Sequence, residues 1–189
     1  MVITTSPLVK TYTLQEFWNL PEPADHSKLE LIKGVLYMTP PPDYPHNQAT
    51  TDLFVHLQKA IEKSGYSGQI FVPRTAICVD EDTYLEPDLI YMSDELRAAM
   101  DPKHWTRADI VVEIVSPSTA LYDRKTKSDT YQTMGVREMW LIDTQERQIE
   151  VRSFEVNKSA VFKIRESLRS EVLQKIEIPL ALLFTAGTR

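Results

Sequence analysis

Two acids in this chain stand among residues that would otherwise be core. Glu113 interrupts Ile110–Val115, a run that is β-branched and apolar at every other position. Asp88 precedes LIYM in EPDLIYM. A run like IVVEIV reads as a strand buried on both faces. A carboxylate there loses its water shell at a cost of several kcal/mol unless something neutralises it. If the two strands are neighbours, Asp88 and Glu113 approach each other, and as bare carboxylates one of them would take up a proton. A divalent metal between them resolves both problems. Mg²⁺ fits, with Mn²⁺ as the alternative, because it is hard, prefers oxygen and typically takes one or two carboxylates plus waters and substrate phosphate. A hydrolytic metal site also wants a cation near the scissile group, to hold the attacking water or steady developing negative charge. The simplest place for it, two residues beyond Glu113, holds Val115. The following segment carries DRKTK, and Lys127, Tyr131 and Met134 fall at i, i+4 and i+7, one face of a helix. The apolar bodies of Tyr131 and Met134 would carry Lys127 inward, near the end of the Glu113 strand.

These groups need a frame. Along the Glu113 strand, Val111, Glu113 and Val115 share one face, and Ile110, Val112 and Ile114 the other. Both faces are apolar, so the strand is central, with Glu113 near the C-terminal end, where sites open in α/β sheets. Upstream, 13–20 reads as a short helix with Leu14, Phe17 and Trp18 at helical spacing, ended by Pro21 and Pro23. Residues 29–38 read as two short strands hinged at Lys33-Gly34, and 39–45 as a Pro-rich loop. A helix over 46–64 places Leu53, Leu57 and Ile61 on one face, with Gly65 past its end. Residues 68–79 give strand material around Pro73, Glu81-Asp82 a turn, 85–92 a strand, and 93–100 a helix begun by Ser93. After Ser116-Pro117 a helix runs to about Met134, where Gly135 ends it. Residues 137–143 and 148–154 form a hairpin, 161–165 adds a strand, and the tail IPLALLF is apolar enough to pack on the body. Strands alternate with helices, yet several strands also follow one another directly. That pattern predicts an α/β domain with a mixed sheet flanked by helices.

Composition narrows the classes. The chain has 189 residues, enough for one domain with a real core and short for two. Apolar residues at 42% and charged ones at 25% are ordinary for a soluble globular protein. No stretch approaches the roughly 20 apolar residues that span a bilayer. The N-terminal MVITTSPLVK lacks the pattern of a secretory leader, so a cytoplasmic location is the default. Cys78 is the only cysteine, which rules out an internal disulfide and a Cys-based zinc cluster. Its reading is a small buried apolar residue. Ser116 and Ser118 lack a GxSxG-type context, so a serine hydrolase is a poor reading. The net charge of −6 argues against a polybasic nucleic-acid binder. It does not exclude an enzyme that meets nucleic acid through a local basic patch, since acids gathered to hold a metal count in the total.

The ordered set resembles a known pattern. Pro87-Asp88, then a strand with Glu113, then a lysine resembles the PD-(D/E)XK, restriction-endonuclease-like superfamily. More closely, the chain is similar to the Uma-two family of endonucleases (domain of unknown function 820). The matching pieces are an acid in LELIKGVLYM, His46 opening a helix, EPDL, VVEIVSPST, Lys127 followed by Tyr131, and GVREMW. The resemblance extends from about Thr13 to about Phe184 and implies one restriction-endonuclease-like domain over 1–189. It implies a Mg²⁺-dependent endonuclease hydrolysing phosphodiester bonds of nucleic acid, with DNA the expected substrate. Asp88 and Glu113 would hold the metal, Glu30 would be a further ligand or a supporting acid, and Lys127 would be the catalytic lysine, moved from the strand to the helix. Val115 is the departure from the wider superfamily, where that lysine stays on the strand. A homodimer is implied as well, because cutting two strands calls for two sites. The rival reading is a nuclease-fold module that binds nucleic acid or protein without cleaving. His46 reads as a capping or packing residue, Asp123 as a capping or salt-bridging one, Tyr131 and Trp140 as core, and Arg124 and Lys125 as a solvated face.

Overall fold

The computed structural model describes residues 9–184. The first eight residues, part of the stretch read above as carrying no leader, and the last five lie outside it. Helix α1 (Leu14–Trp18) starts at a capping box: Thr13 Oγ1 accepts the Glu16 N–H, and the Glu16 carboxylate accepts the Thr13 N–H. Strands β1 (Lys28–Ile32) and β2 (Val35–Thr39) form a hairpin in full register from Lys28–Thr39 to Ile32–Val35. Its two turn residues, Lys33 and Gly34, both have positive φ, 49° and 75°, the two-residue turn that follows strand twist. Helix α2 (Tyr44–Ser64) begins earlier than the sequence reading placed it. Asp43 caps it by accepting the His46 N–H, and Pro45 falls in the first turn, where its missing N–H costs nothing.

Next come β3 (Gln69–Phe71), β4 (Ile77–Val79), β5 (Thr83–Leu85), β6 (Leu89–Met92), α3 (Asp94–Ala98) and β7 (Ile110–Val115). A π-helical turn (Tyr122–Lys127) runs directly into α4 (Ser128–Thr133), then β8 (Glu138–Asp143), β9 (Gln148–Ser153) and β10 (Lys158–Lys163). The described chain ends in β11 (Ser167–Leu168), β12 (Ile178–Pro179) and a 3-10 turn (Leu180–Leu182).

The mixed sheet has six strands in the order β10-β9-β8-β7-β6-β3. Its one parallel pair is β7–β8, joined by the crossover that holds the π turn and α4; the other pairs are antiparallel. The β1-β2 hairpin expected over 29–38 belongs to a second, antiparallel sheet, β2-β1-β5-β4, which was not anticipated because β4 and β5 have only three residues each. All six residues of β7 are buried, as expected of a central strand. Ile110, Val112 and Ile114 join α2's Leu53, Leu57 and Ile61 and the tail's Leu180, Leu183 and Phe184 in one core. Val111 and Val115 join Tyr131, Met139 and Leu141 and the second sheet's Ile32, Ile77 and Leu85 in another. On the first side Glu138 accepts from Trp140 Nε1, Ser153 Oγ, Ser170 Oγ and the Glu171 N–H, which ties the segment before β12 to the sheet.

Candidate active site

The antiparallel pairing of β6 with β7 sets Leu89 opposite Val112, so Asp88 arrives at the C-terminal end of β7. The Asp88 N–H donates to Val112 O at 3.0 Å, and Asp88 Oδ2 accepts the Ile114 N–H at 2.7 Å. His46, in the first turn of α2, puts Nε2 3.1 Å from the same oxygen. Glu113 points to the other core. Its Oε1 lies 2.9 Å from Lys127 Nζ and accepts the Tyr131 hydroxyl at 2.6 Å. Lys127 also meets Glu30 Oε2 at 3.0 Å and Asp123 Oδ1 at 3.6 Å.

Glu30 is fully engaged. Its Oε1 accepts the Glu86 N–H at 3.0 Å and lies 3.6 Å from Lys28 Nζ. Its Oε2 takes Lys127 and the Tyr122 hydroxyl, the latter at 3.2 Å, and the Tyr122 ring stacks on Tyr37. Lys28 Nζ donates onward to Glu86 O at 2.8 Å.

The segment that delivers Lys127 is π-helical, not the regular helix its spacing predicts. Such turns are rare and concentrate at functional sites. Asp123 and Lys127 are both buried on it, and Tyr131 continues the same face into α4.

One ammonium shared by three acids does not serve them equally. Burial opposes ionisation of Glu30, but Lys127, Lys28 and the Glu86 N–H outweigh it and hold its carboxyl below the usual range. Asp88 is treated the same way: burial is overcome by the His46 hydrogen bond, by Lys28 and by the Ile114 N–H. Glu113 has only Lys127 close by and Lys28 further off, and burial pushes it up to about 8. Burial also raises Asp123. Burial works against the Lys127 ammonium too, yet Glu113, Glu30 and Asp123 keep it charged well above its ordinary value. Lys127 is therefore held in its charged form by the acids around it.

A cavity of 520 Å³ opens at this point, lined by Asp88, Glu113, Lys127, His46, Lys28 and the loop after β7. The contacts of Asp88 fall on Oδ2 and those of Glu113 on Oε1. The other oxygen of each has no protein partner among the described residues. With all groups ionised, the buried acids gathered here, Glu30, Glu86, Asp88, Glu113 and Asp123, outnumber the two ammonium groups of Lys28 and Lys127. Without a cation, burial raises the Glu113 and Asp123 carboxyls toward their protonated forms; a divalent cation would offset the same excess, and two carboxylates suffice for Mg²⁺ when waters and phosphate complete its shell. Among the described residues no group of three or more His, Cys, Asp and Glu is gathered for a metal. Glu30, expected as a further ligand or a supporting acid, is absent from the cavity lining because both its oxygens face the protein.

The structure joins Glu113, Glu30 and Asp123 through Lys127 and sets Asp88 on the same cavity as Glu113 and Lys127. It adds Lys28, Tyr131 and His46. Lys28 sits at a strand start and looks solvated in sequence. Tyr131 was read as core, and its ring is; the hydroxyl is what reaches the site. His46 was read as a capping or packing residue, and its partner Asp88 is remote in sequence.

A mixed sheet carrying Asp88 and Glu113 at adjacent strand ends, with a buried lysine behind them, defines a protein of the restriction-endonuclease-like class. The chain belongs to the Uma2 family, described as "Putative restriction endonuclease", whose model matches residues 14–181. Among solved structures it is similar to "a putative nuclease belonging to DUF820" from Anabaena variabilis, with a TM-score of 0.73 at 19% identity, covering 92% of this chain and 98% of that one. At that identity the likeness speaks for the shared fold. The curated proteins give no match.

Proposed function

We propose that this chain is a Mg²⁺-dependent endonuclease that hydrolyses phosphodiester bonds of DNA, with Asp88, Glu113 and Lys127 as its catalytic residues. The observation that carries the reading is the convergence of Asp88 and Glu113 on one open cavity, with one carboxylate oxygen of each left without a protein partner among the described residues. Asp88 and Glu113 would hold Mg²⁺, which when bound supplies Lewis-acid stabilisation to the reacting phosphate. His46 and the Ile114 N–H fix Asp88 in its ionised form. Tyr131 and Lys127 fix the rotamer of Glu113. Lys127, held in its charged form and on the cavity wall, orients the attacking water or offsets the charge that builds on phosphate oxygens. Glu30 acts at one remove, holding Lys127 in place.

Family membership supports a nucleic-acid substrate. DNA and a homodimer follow from the superfamily resemblance and the need for one site per strand. A cytoplasmic setting is part of the same reading; among the described residues no helix is long and apolar enough to cross a membrane.

A contaminant-controlled cleavage assay tests it. The intact chain with Mg²⁺ or Mn²⁺ cleaves DNA, and Asp88→Ala, purified identically, does not. Equal activity in both would remove Asp88 from the chemistry. The rival, a binding module without cleavage, is favoured by one observation: Lys127 already neutralises part of the charge on Glu113. Such a relic would bind metal poorly and be indifferent to Glu113→Gln.

A further inference from the structure

A smaller cavity of 200 Å³ adjoins the first and shares four wall residues with it: His26, Lys28, Arg74 and Glu86. Trp18 also lines it. We infer that this groove receives an unpaired nucleotide flanking the scissile phosphate, with the base stacked on Trp18 and the backbone phosphate met by Arg74 and His26. The preferred substrate is then nucleic acid with single-stranded character beside the cut. The inference rests on the nuclease reading of the neighbouring cavity and narrows it.

Trp18 is the first ground. The helical spacing of Leu14, Phe17 and Trp18 predicts an indole turned to the core. In the structure Phe17 is buried against Tyr84, their ring centroids 5.0 Å apart, while Trp18 is 61% exposed. The platform is held in place, because α1 is fixed by its capping box and by the Leu14 N–H donating to Glu81 O. Tyr84 in turn donates to Glu86 Oε1 at 2.6 Å, which links the platform to the wall both cavities share.

Arg74, with His26 beside it, is the second ground. Arg74 and His26 are exposed and make no ion pair among the described residues. Both are non-glycine residues held at positive φ, 73° and 61°. That conformation is uncommon for such residues and is kept where the surroundings enforce it. In a chain of net charge −6, Arg74 places positive charge beside a cavity whose floor is acidic, and the His26 ring adds a hydrogen-bonding group. A cationic track beside an aromatic face is how single strands are gripped without sequence readout. Inside a duplex both faces of a base are covered by its neighbours, so Trp18 gains nothing there.

The test is fluorescence anisotropy of labelled oligonucleotides with the full chain in Ca²⁺, another oxygen-seeking ion. A short oligothymidine and a blunt duplex are compared for the intact protein, Trp18→Ala and Trp18→Tyr. Single-strand binding should weaken roughly 5- to 150-fold in Trp18→Ala, recover most of that in Trp18→Tyr, and leave duplex binding unchanged. An unchanged single-strand affinity in Trp18→Ala overturns the inference, as does an equal loss on the duplex. DNA cleavage assayed alongside separates the two claims. Cleavage that persists with no Trp18 dependence sinks the groove alone, and absence of both binding and cleavage sinks the nuclease reading with it.

Discussion

Lys127 Nζ and Glu113 Oε1 meet at 2.9 Å with both side chains almost wholly out of solvent. The pair answers, in part, why an acid stands in a strand of Ile and Val. One lysine does not complete the answer, because it is shared with Glu30 and Asp123. The remaining negative charge faces the cavity.

Removing the lysine should therefore expose three buried acids at once. Lys127→Met is expected to lose about 3–5 kcal/mol of stability, the usual cost of stranding a buried charge. For a chain of this size that is a drop in Tm of roughly 6–20 °C. Adding Glu30→Gln to Lys127→Met should cost less than the two single losses summed, since the groups form one network. Urea unfolding of the four proteins checks both statements, and strict additivity would argue that the pair is not coupled.

Stability of the metal-free protein should depend on pH through Glu113. Its carboxyl is raised in the folded state to about 8 from an ordinary value of 4.5. Between those values the folded state holds a proton that the unfolded chain releases. This contribution is present in full below about pH 4.5 and is lost as pH rises through about 8. Glu113→Gln removes the titration. The stability of the intact protein relative to Glu113→Gln, measured in EDTA from pH 5 to 9, should fall with pH. A constant difference would mean that Glu113 is ionised throughout.

Much of this arrangement was legible in the chain, and the reason is local periodicity. The period of two put Glu113 on the face of Val111 and Val115, and the structure keeps it there. The i, i+4 spacing joined Lys127 to Tyr131. What was hidden depends on contacts between distant segments. Nothing near His46 announces Asp88, and nothing near Lys28 announces Glu86. The π turn was missed because its residues also satisfy a regular helix. Trp18 was assigned to an apolar face that a five-residue helix is too short to bury. The second sheet escaped because strands such as β4 and β5 have three residues each, too few to display alternation.

His46 should matter more than its place at a helix start implies. Its Nε2 supports the Asp88 carboxylate, and its Nδ1 is buried without a partner among the described residues. Groups that hold a metal ligand typically contribute 10–100-fold to affinity or activity. His46→Ala should accordingly weaken Mn²⁺ binding by roughly 10–100-fold, with the fold retained by circular dichroism. Affinity equal to that of the intact protein would place His46 outside the site.

The most direct measurement is calorimetric titration of Mn²⁺ and Mg²⁺ into the intact protein and into Glu113→Gln, above pH 8 so that Glu113 is ionised. The account predicts one saturable site in the intact chain and its loss in the variant. Equal binding by both, or none by either, would contradict it, and the charge on Glu113 would then be answered by Lys127 alone.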